Sequence, residues 1–403
     1  MAEHDLLLGE RIKSRREQIG LSQKALADRV GFPAHQTVSQ IENGQRDVKA
    51  WELAKLAQAL HVSIVELLGA TEPVGTPTVL WRKQPGENKE TREAEFLERC
   101  RQYAFLESLV GSEAYRPFPY REVKPGGFGW NEARDLGQEM WRQLGLGDRP
   151  AKALVSVLEE QYGVKIWYAD LGAECSAACV VGDFGPAILM NREEAPWRRN
   201  FNFGHELFHL ITWKSFSSNE PGTIHTLTDS MDRLANAFAS SLLLPSDLVI
   251  PEFERRLHDR KISYVDLTNL AREFDVSSEA LLWRLVTLRR MEQGIVESLL
   301  ADERLRNLDR SSMPGKWWVP PPVPERFVRL AFVAYQKAKL SKTRLAELLG
   351  VSLPDLQSTL MEYGLDETAD YDTTVSAPCC LTRMSYSRPI VGTCGIPYSR
   401  ESP

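Results

Sequence analysis

Residues 201–210 read FNFGHELFHL and contain His205-Glu206-Leu207-Phe208-His209. Four residues is just over one helical turn, so the two imidazoles project from one face, and the apolar residues around them suit a helix packed on a core. Two histidines placed this way can bind one Zn²⁺, with Glu206 beside them as a general base. The spacing points to the chemistry of zinc-dependent peptide hydrolysis.

A catalytic zinc keeps three protein ligands and leaves one position open, so a further ligand is expected downstream. The segment 229–245, DSMDRLANAFASSLLLP, repeats Met231, Leu234, Ala235, Phe238, Ala239 and Leu242 at helical spacing. Its polar candidates Asp229, Asp232 and Asn236 stand at i, i+3 and i+7 and share one stripe.

Together these segments resemble the ImmA/IrrE metallopeptidases. In that family an H-E-x-x-H helix is followed by a helix ending A-N-x-F-A-x-x-L-L-x-P, which here stands as Ala235-Asn236-Ala237-Phe238-Ala239-Ser240-Ser241-Leu242-Leu243-Leu244-Pro245. The family's third ligand is a glutamate four residues before the Asn, the position of Asp232 in this chain. The resemblance therefore implies a zinc held by His205, His209 and Asp232, with Glu206 as the catalytic base. Aspartate is one methylene shorter than glutamate, so helix spacing or a bridging water must compensate. Asp229 and Glu220 are the alternative ligands, and His225 is a candidate to steady the oxyanion. The similarity extends upstream through Pro186-Ala187-Ile188-Leu189-Met190-Asn191 to Arg198-Arg199-Asn200-Phe201. Segment 154–169 reads as a helix ending near Gly163, then a short strand supporting the site.

Residues 8–70 carry a second signal, short amphipathic helices with Gly20, Gly31 and Gly44 at the joints. They resemble the five-helix pattern of the XRE/Cro-type helix-turn-helix. Leu21, Leu26, Ala27, Val30, Val38 and Ile41 are the expected core. Gln23 starts the second helix, and His35, Gln36, Thr37, Ser39 and Gln40 populate the expected recognition helix, where amide side chains suit adenine edges and hydroxyls suit phosphates. The stretch Gly31-Phe32-Pro33-Ala34-His35-Gln36-Thr37 reads as one residue longer than the usual turn before the recognition helix. Residues 1–70 carry nine Lys/Arg and nine Asp/Glu, so DNA affinity must come from local clusters such as Arg11, Lys13, Arg15, Arg16 and Arg46.

At 403 residues and net charge −6, the chain can bury at least two cores and has no general attraction to nucleic acid or anionic lipid. No apolar run approaches the roughly 18–20 residues of a membrane span, and the start MAEHDLLLGERIK lacks a signal peptide's apolar centre. A cytoplasmic protein with no membrane partner is expected. The six cysteines, Cys100, Cys175, Cys179, Cys379, Cys380 and Cys394, form no disulfide framework, and Cys175 and Cys179 lack the further ligands of a zinc site.

The expected fold is mainly α and multi-domain. A helix-turn-helix domain over 1–70 is followed by a linker over 71–93, an α+β zincin-like metallopeptidase domain over 94–300, a helix-turn-helix-like segment over 325–366 and a loosely ordered tail over 367–403. Leu340–Leu356 and, within the central domain, Ile262–Arg284 imitate helix-turn-helix units and are read as packing or oligomerisation elements. GKWWVPPPVP, 315–324, reads as a stiff connector. The expected function is a DNA-binding transcriptional regulator, a homodimer on operator-like sites, whose zinc endopeptidase cleaves a protein such as a repressor or antitoxin. The alternatives are a regulator whose zinc fold senses a ligand or partner without cleaving, and a toxin–antitoxin or phage-type module.

Overall fold

The computed structural model describes residues 2–62, 64–68, 77–83, 88–111, 115–124, 127–216, 229–312 and 317–366. Glu220, His225, the tail 367–403 with its three cysteines, and part of the 71–93 linker lie outside the described residues.

The N-terminal head comprises α1 (Ala2–Gln18), α2 (Gln23–Val30), α3 (His35–Glu42), α4 (Ala50–Ala59) and α5 (Ile64–Leu68). Ser22 caps α2 by accepting from the Ala25 amide, and Gly31, at φ 81°, closes it in the left-handed conformation that glycine adopts at little cost. Ile12, Leu26, Val38, Ile41, Leu56 and Leu60 are fully buried between these helices. Arg16 and Glu42 form an ion pair inside this core, with Arg16 Nε donating to Glu42 Oε1 at 2.5 Å.

The central part runs β1 (Leu80–Trp81), α6 (Lys89–Val110), α7 (Trp130–Gln143), α8 (Pro150–Tyr162), β2 (Lys165–Ala169), β3 (Ala177–Gly182), β4 (Gly185–Asn191), α9 (Pro196–Ile211), α10 (Trp213–Phe216) and α11 (Asp229–Leu243). It continues through α12 (Ser246–Arg255), α13 (Tyr264–Glu273), α14 (Ser278–Thr287), α15 (Gln293–Ala301) and α16 (Glu303–Ser311), and the chain then forms α17 (Glu325–Gln336), α18 (Lys342–Leu349) and α19 (Leu356–Glu362). Among the described residues no single helix is long and apolar enough to cross a membrane.

The strands form one mixed sheet in the order β1-β3-β4-β2, with β2 and β4 parallel and the other pairs antiparallel. Both faces are covered, and β4 shows the strand alternation. Ile188 and Met190 join the core shared with α9 and α11, whereas Ala187 and Leu189 face the cluster under α6. Within the stretch expected as a linker, Leu80 and Trp81 pair with Cys179 and Ala178. That stretch thus supplies an edge strand. The helix α6 joins head to body, since Ala94 is part of the head's core and Thr91 Oγ1 donates to Ile19 O at 2.9 Å.

Two glycines set how closely the helices around the candidate site approach. A Cβ on Gly137 of α7 would lie 2.5 Å from Phe238 O, and one on Gly204 of α9 would lie 3.1 Å from Ala239 Cβ. Both contacts fall on α11. The small residues let α7 and α9 press onto the helix that carries Asp232 and Asn236.

Candidate metal centre

Asn191 at the end of β4 turns the chain toward α9 by donating to the Gly172 and Cys175 carbonyls, each at 2.8 Å. Arg199 fastens the start of α9 by donating to Arg192 O at 2.9 Å and to Trp318 O at 2.8 Å. The second bond lays the 317–324 connector against α9. Further along the same helix, His205, Glu206 and His209 are buried at 0 %, 0 % and 2 % exposure.

A chain of hydrogen bonds sets the tautomer of His205. Asp232 Oδ2 can only accept, so the 3.0 Å contact from Asn236 Nδ2 fixes the amide with its nitrogen toward the carboxylate. Asn236 Oδ1 then accepts from His205 Nδ1 at 3.0 Å, which leaves a lone pair on His205 Nε2. That nitrogen faces His209 Nε2 at 3.2 Å. Two ring nitrogens this close need a shared proton or a cation between them. Burial, followed by the charges of His209 and Arg82, drives His205 well below the usual histidine range, and burial then Arg82 brings His209 down to about 3. Both rings are therefore held neutral, the form that binds metal.

Among the described residues no group of three or more His, Cys, Asp or Glu side chains closes tightly enough to hold a metal ion. The separate distances locate the gap. A tetrahedral zinc with arms of about 2.0–2.1 Å requires donors roughly 3.3–3.4 Å apart. The imidazole pair at 3.2 Å fits that edge, while Asp232 Oδ1 stands 3.6 Å from His205 Nε2, a few tenths of an ångström long. The same oxygen lies 3.6 Å from Arg82 Nε. The histidine pair suits zinc, whereas Asp232, held by Asn236 and Arg82, comes near His205 but not within 4 Å of a His209 nitrogen, so it does not close the site as it stands. Asp229 is exposed at the start of α11.

Glu206 projects toward Cys179 on β3, and neither of its carboxylate oxygens has a geometric hydrogen-bond partner among the described residues. Burial pushes its pKa up to about 7, opposed by the Cys179 thiol and Arg82 and assisted by Asp232. Burial and Glu206 likewise push the Cys179 thiol far up. Cys175 and Cys179 are buried free thiols rather than a metal pair.

Sequence reasoning missed Arg82. It follows β1 and donates to Asn202 Oδ1 and, at 3.3 Å, to Asn236 Oδ1. Asn202 Nδ2 in turn donates to Glu194 Oε2 at 2.6 Å, and Ser176 Oγ to Glu194 Oε1 at 2.7 Å. This network ties the edge strand to both helices of the site.

In the head, His35, Gln36 and Gln40 lie on the exposed face of α3, with Thr37 and Ser39 half-buried. Gln23 is engaged inward, its Nε2 donating to Glu42 Oε2 at 2.8 Å.

The model of the family described as IrrE N-terminal-like domain matches residues 159–286, which include both helices of the metal-site candidate. A helix-turn-helix family model matches residues 12–67. The chain is a helix-turn-helix protein with an IrrE-like domain. Its head is also 40 % identical over 72 residues to a Sinorhizobium fredii protein named uncharacterized HTH-type transcriptional regulator y4dJ, a match covering 17 % of this chain and 92 % of that relative. The edge strand with Arg82 lies between the two matched regions of the chain.

Proposed function

We propose that this chain is a DNA-binding transcriptional regulator whose IrrE-like domain is a zinc endopeptidase cutting a protein substrate, a repressor being the best candidate. The observation that carries the reading is the pair of neutral imidazole nitrogens 3.2 Å apart, with the tautomer of His205 set by Asn236. His205 and His209 would hold the ion, and Asp232 would have to move toward His209 to add the third donor. A zinc held by these residues would supply Lewis acidity, with a lowered pKa for water and a polarised scissile carbonyl. Glu206 accepts the proton of the attacking water on a carboxylate oxygen and returns it to the leaving amide nitrogen. Its burial keeps the carboxylate away from bulk water. Arg82 holds Asp232 and Asn236 in register. The test is cleavage of candidate repressors by the zinc-loaded full-length chain, with loss of cleavage on chelation; zinc-loaded protein that cuts none of them sinks the reading.

The contact of Asp232 with Arg82 favours one second reading, a regulator in which the zinc fold senses a ligand without cleaving. Asp232 variants separate the two. Asp232→Ala is expected to weaken zinc binding by more than the roughly 10–100-fold of a merely supporting contact, whereas Asp232→Glu retains zinc and raises any hydrolysis. Unchanged zinc affinity in the alanine variant, measured by competition with a chromogenic chelator, removes Asp232 from the ligand set.

For the head, we infer operator binding as a homodimer, with α3 in the major groove. Gln36→Ala or Gln40→Ala is expected to cost about 1–3 kcal/mol at a selected site and to leave non-specific binding nearly unchanged. Binding selection with the full-length chain followed by anisotropy titration checks this; no enriched sequence removes the operator reading.

A further inference from the structure

Asp232 and Asn236 open onto a cleft of about 730 Å³ walled by the indoles of Trp130, Trp197 and Trp283. Trp130 and Trp283 are 51 % and 37 % exposed, a substantial apolar surface turned to solvent. Five cations line the cleft, Arg82, Lys83, Arg134, Arg198 and Arg284, against the three carboxylates Asp232, Glu174 and Glu279. The chain as a whole carries −6, so this positive excess is local.

The pairings identify which cations are left over. Lys83 Nζ meets Glu174 Oε2 at 3.0 Å, and Arg82 stands beside Asp232. Arg284 is buried, with Nε donating to Leu244 O at 2.8 Å. Burial, and after it the charge of Arg134, lowers Arg284 to about 10. Among the described residues no carboxylate lies within ion-pair distance of Arg134 or Arg198. Arg134 rests on the Trp130 ring at 5.8 Å.

We propose that this cleft binds an acidic, apolar-rich segment of a protein chain, its carboxylates pairing with Arg134 and Arg198 and its apolar side chains lying on Trp130, Trp197 and Trp283. In naming that segment as substrate, the proposal rests on the peptidase reading. Guanidinium groups bind carboxylates in a planar fork, and indoles give large apolar contact with few rotatable bonds. A nucleic acid fits less well, because Glu174, Glu279 and Asp232 interrupt the continuous basic track that a phosphate backbone follows.

The test uses full-length Glu206→Gln protein, which cannot consume the probe, and anisotropy of a dye-labelled short peptide alternating Asp or Glu with Phe or Leu. An Asn/Gln analogue and an oligothymidylate serve as comparisons. The acidic peptide is expected to bind about tenfold more tightly than its amide analogue, a preference worth about 1.4 kcal/mol. That preference should shrink with added salt and disappear in Arg134→Ala/Arg198→Ala, whereas Trp283→Leu weakens both peptides alike. Equal affinity for acid and amide peptides, a preference untouched by the double substitution and by salt, or tighter binding of the oligothymidylate overturns the proposal. Acid-selective binding with no cleavage by zinc-loaded wild-type protein keeps the cleft's assignment and removes the peptidase reading. Cleavage that ignores peptide charge does the reverse.

Discussion

Glu206→Gln is expected to keep zinc and to lower peptide hydrolysis by about 10²–10⁴-fold, the loss that follows removal of a general base. The carboxamide matches the carboxylate in size, and the residue is fully buried, so the packing of α9 against β3 should survive. What disappears is the ability to take a proton. Single-turnover cleavage of a bound protein substrate, with metal content measured on the same preparation, reads both effects. Near wild-type cleavage by the variant would show that another group moves the proton.

Glu42→Ala is expected to destabilise the head by about 3–5 kcal/mol, because it strands a buried guanidinium. Arg16 is 8 % exposed and Glu42 4 %, and among the described residues the guanidinium has, besides Glu42, only Leu21 O at 2.8 Å within the core and the exposed Glu17. The same change frees Gln23 from its carboxylate partner. Chemical denaturation of the full-length chain, followed by DNA binding, measures the loss. The double substitution Arg16→Met/Glu42→Leu should recover most of the stability, since removing both charges leaves neither unpaired. Equal instability of the single and double variants would mean that the packing, not the ion pair, sets the cost.

Much of the centre is legible in the residues themselves. The four-residue spacing of His205 and His209 needs only a helix, and the helical recurrence of Leu234, Ala235, Phe238 and Leu242 makes Asp232 and Asn236 neighbours on one stripe. Arg82 was hidden for a physical reason. The strand before it is two residues long, too short to show a period, and it forms only by pairing with Cys179 and Ala178 nearly a hundred positions away. Asn202 and Glu194 were hidden likewise, since each acquires its role from partners that the sheet brings close. Gln23 shows the opposite case. Its place at the start of α2 suits a base-reading side chain, but the buried pair of Arg16 and Glu42 draws its amide inward, and charge counting cannot detect a pair that neutralises itself.

The most direct test is the zinc content of the purified full-length chain beside its His205→Ala, His209→Ala and Glu206→Gln variants, by atomic absorption after dialysis. The account predicts about one zinc per chain in the wild type and in Glu206→Gln, and none in either histidine variant, since two ligands of one ion cannot be lost singly without losing the ion. A wild-type chain that takes up no zinc, or a His209→Ala chain that keeps it, would contradict the account.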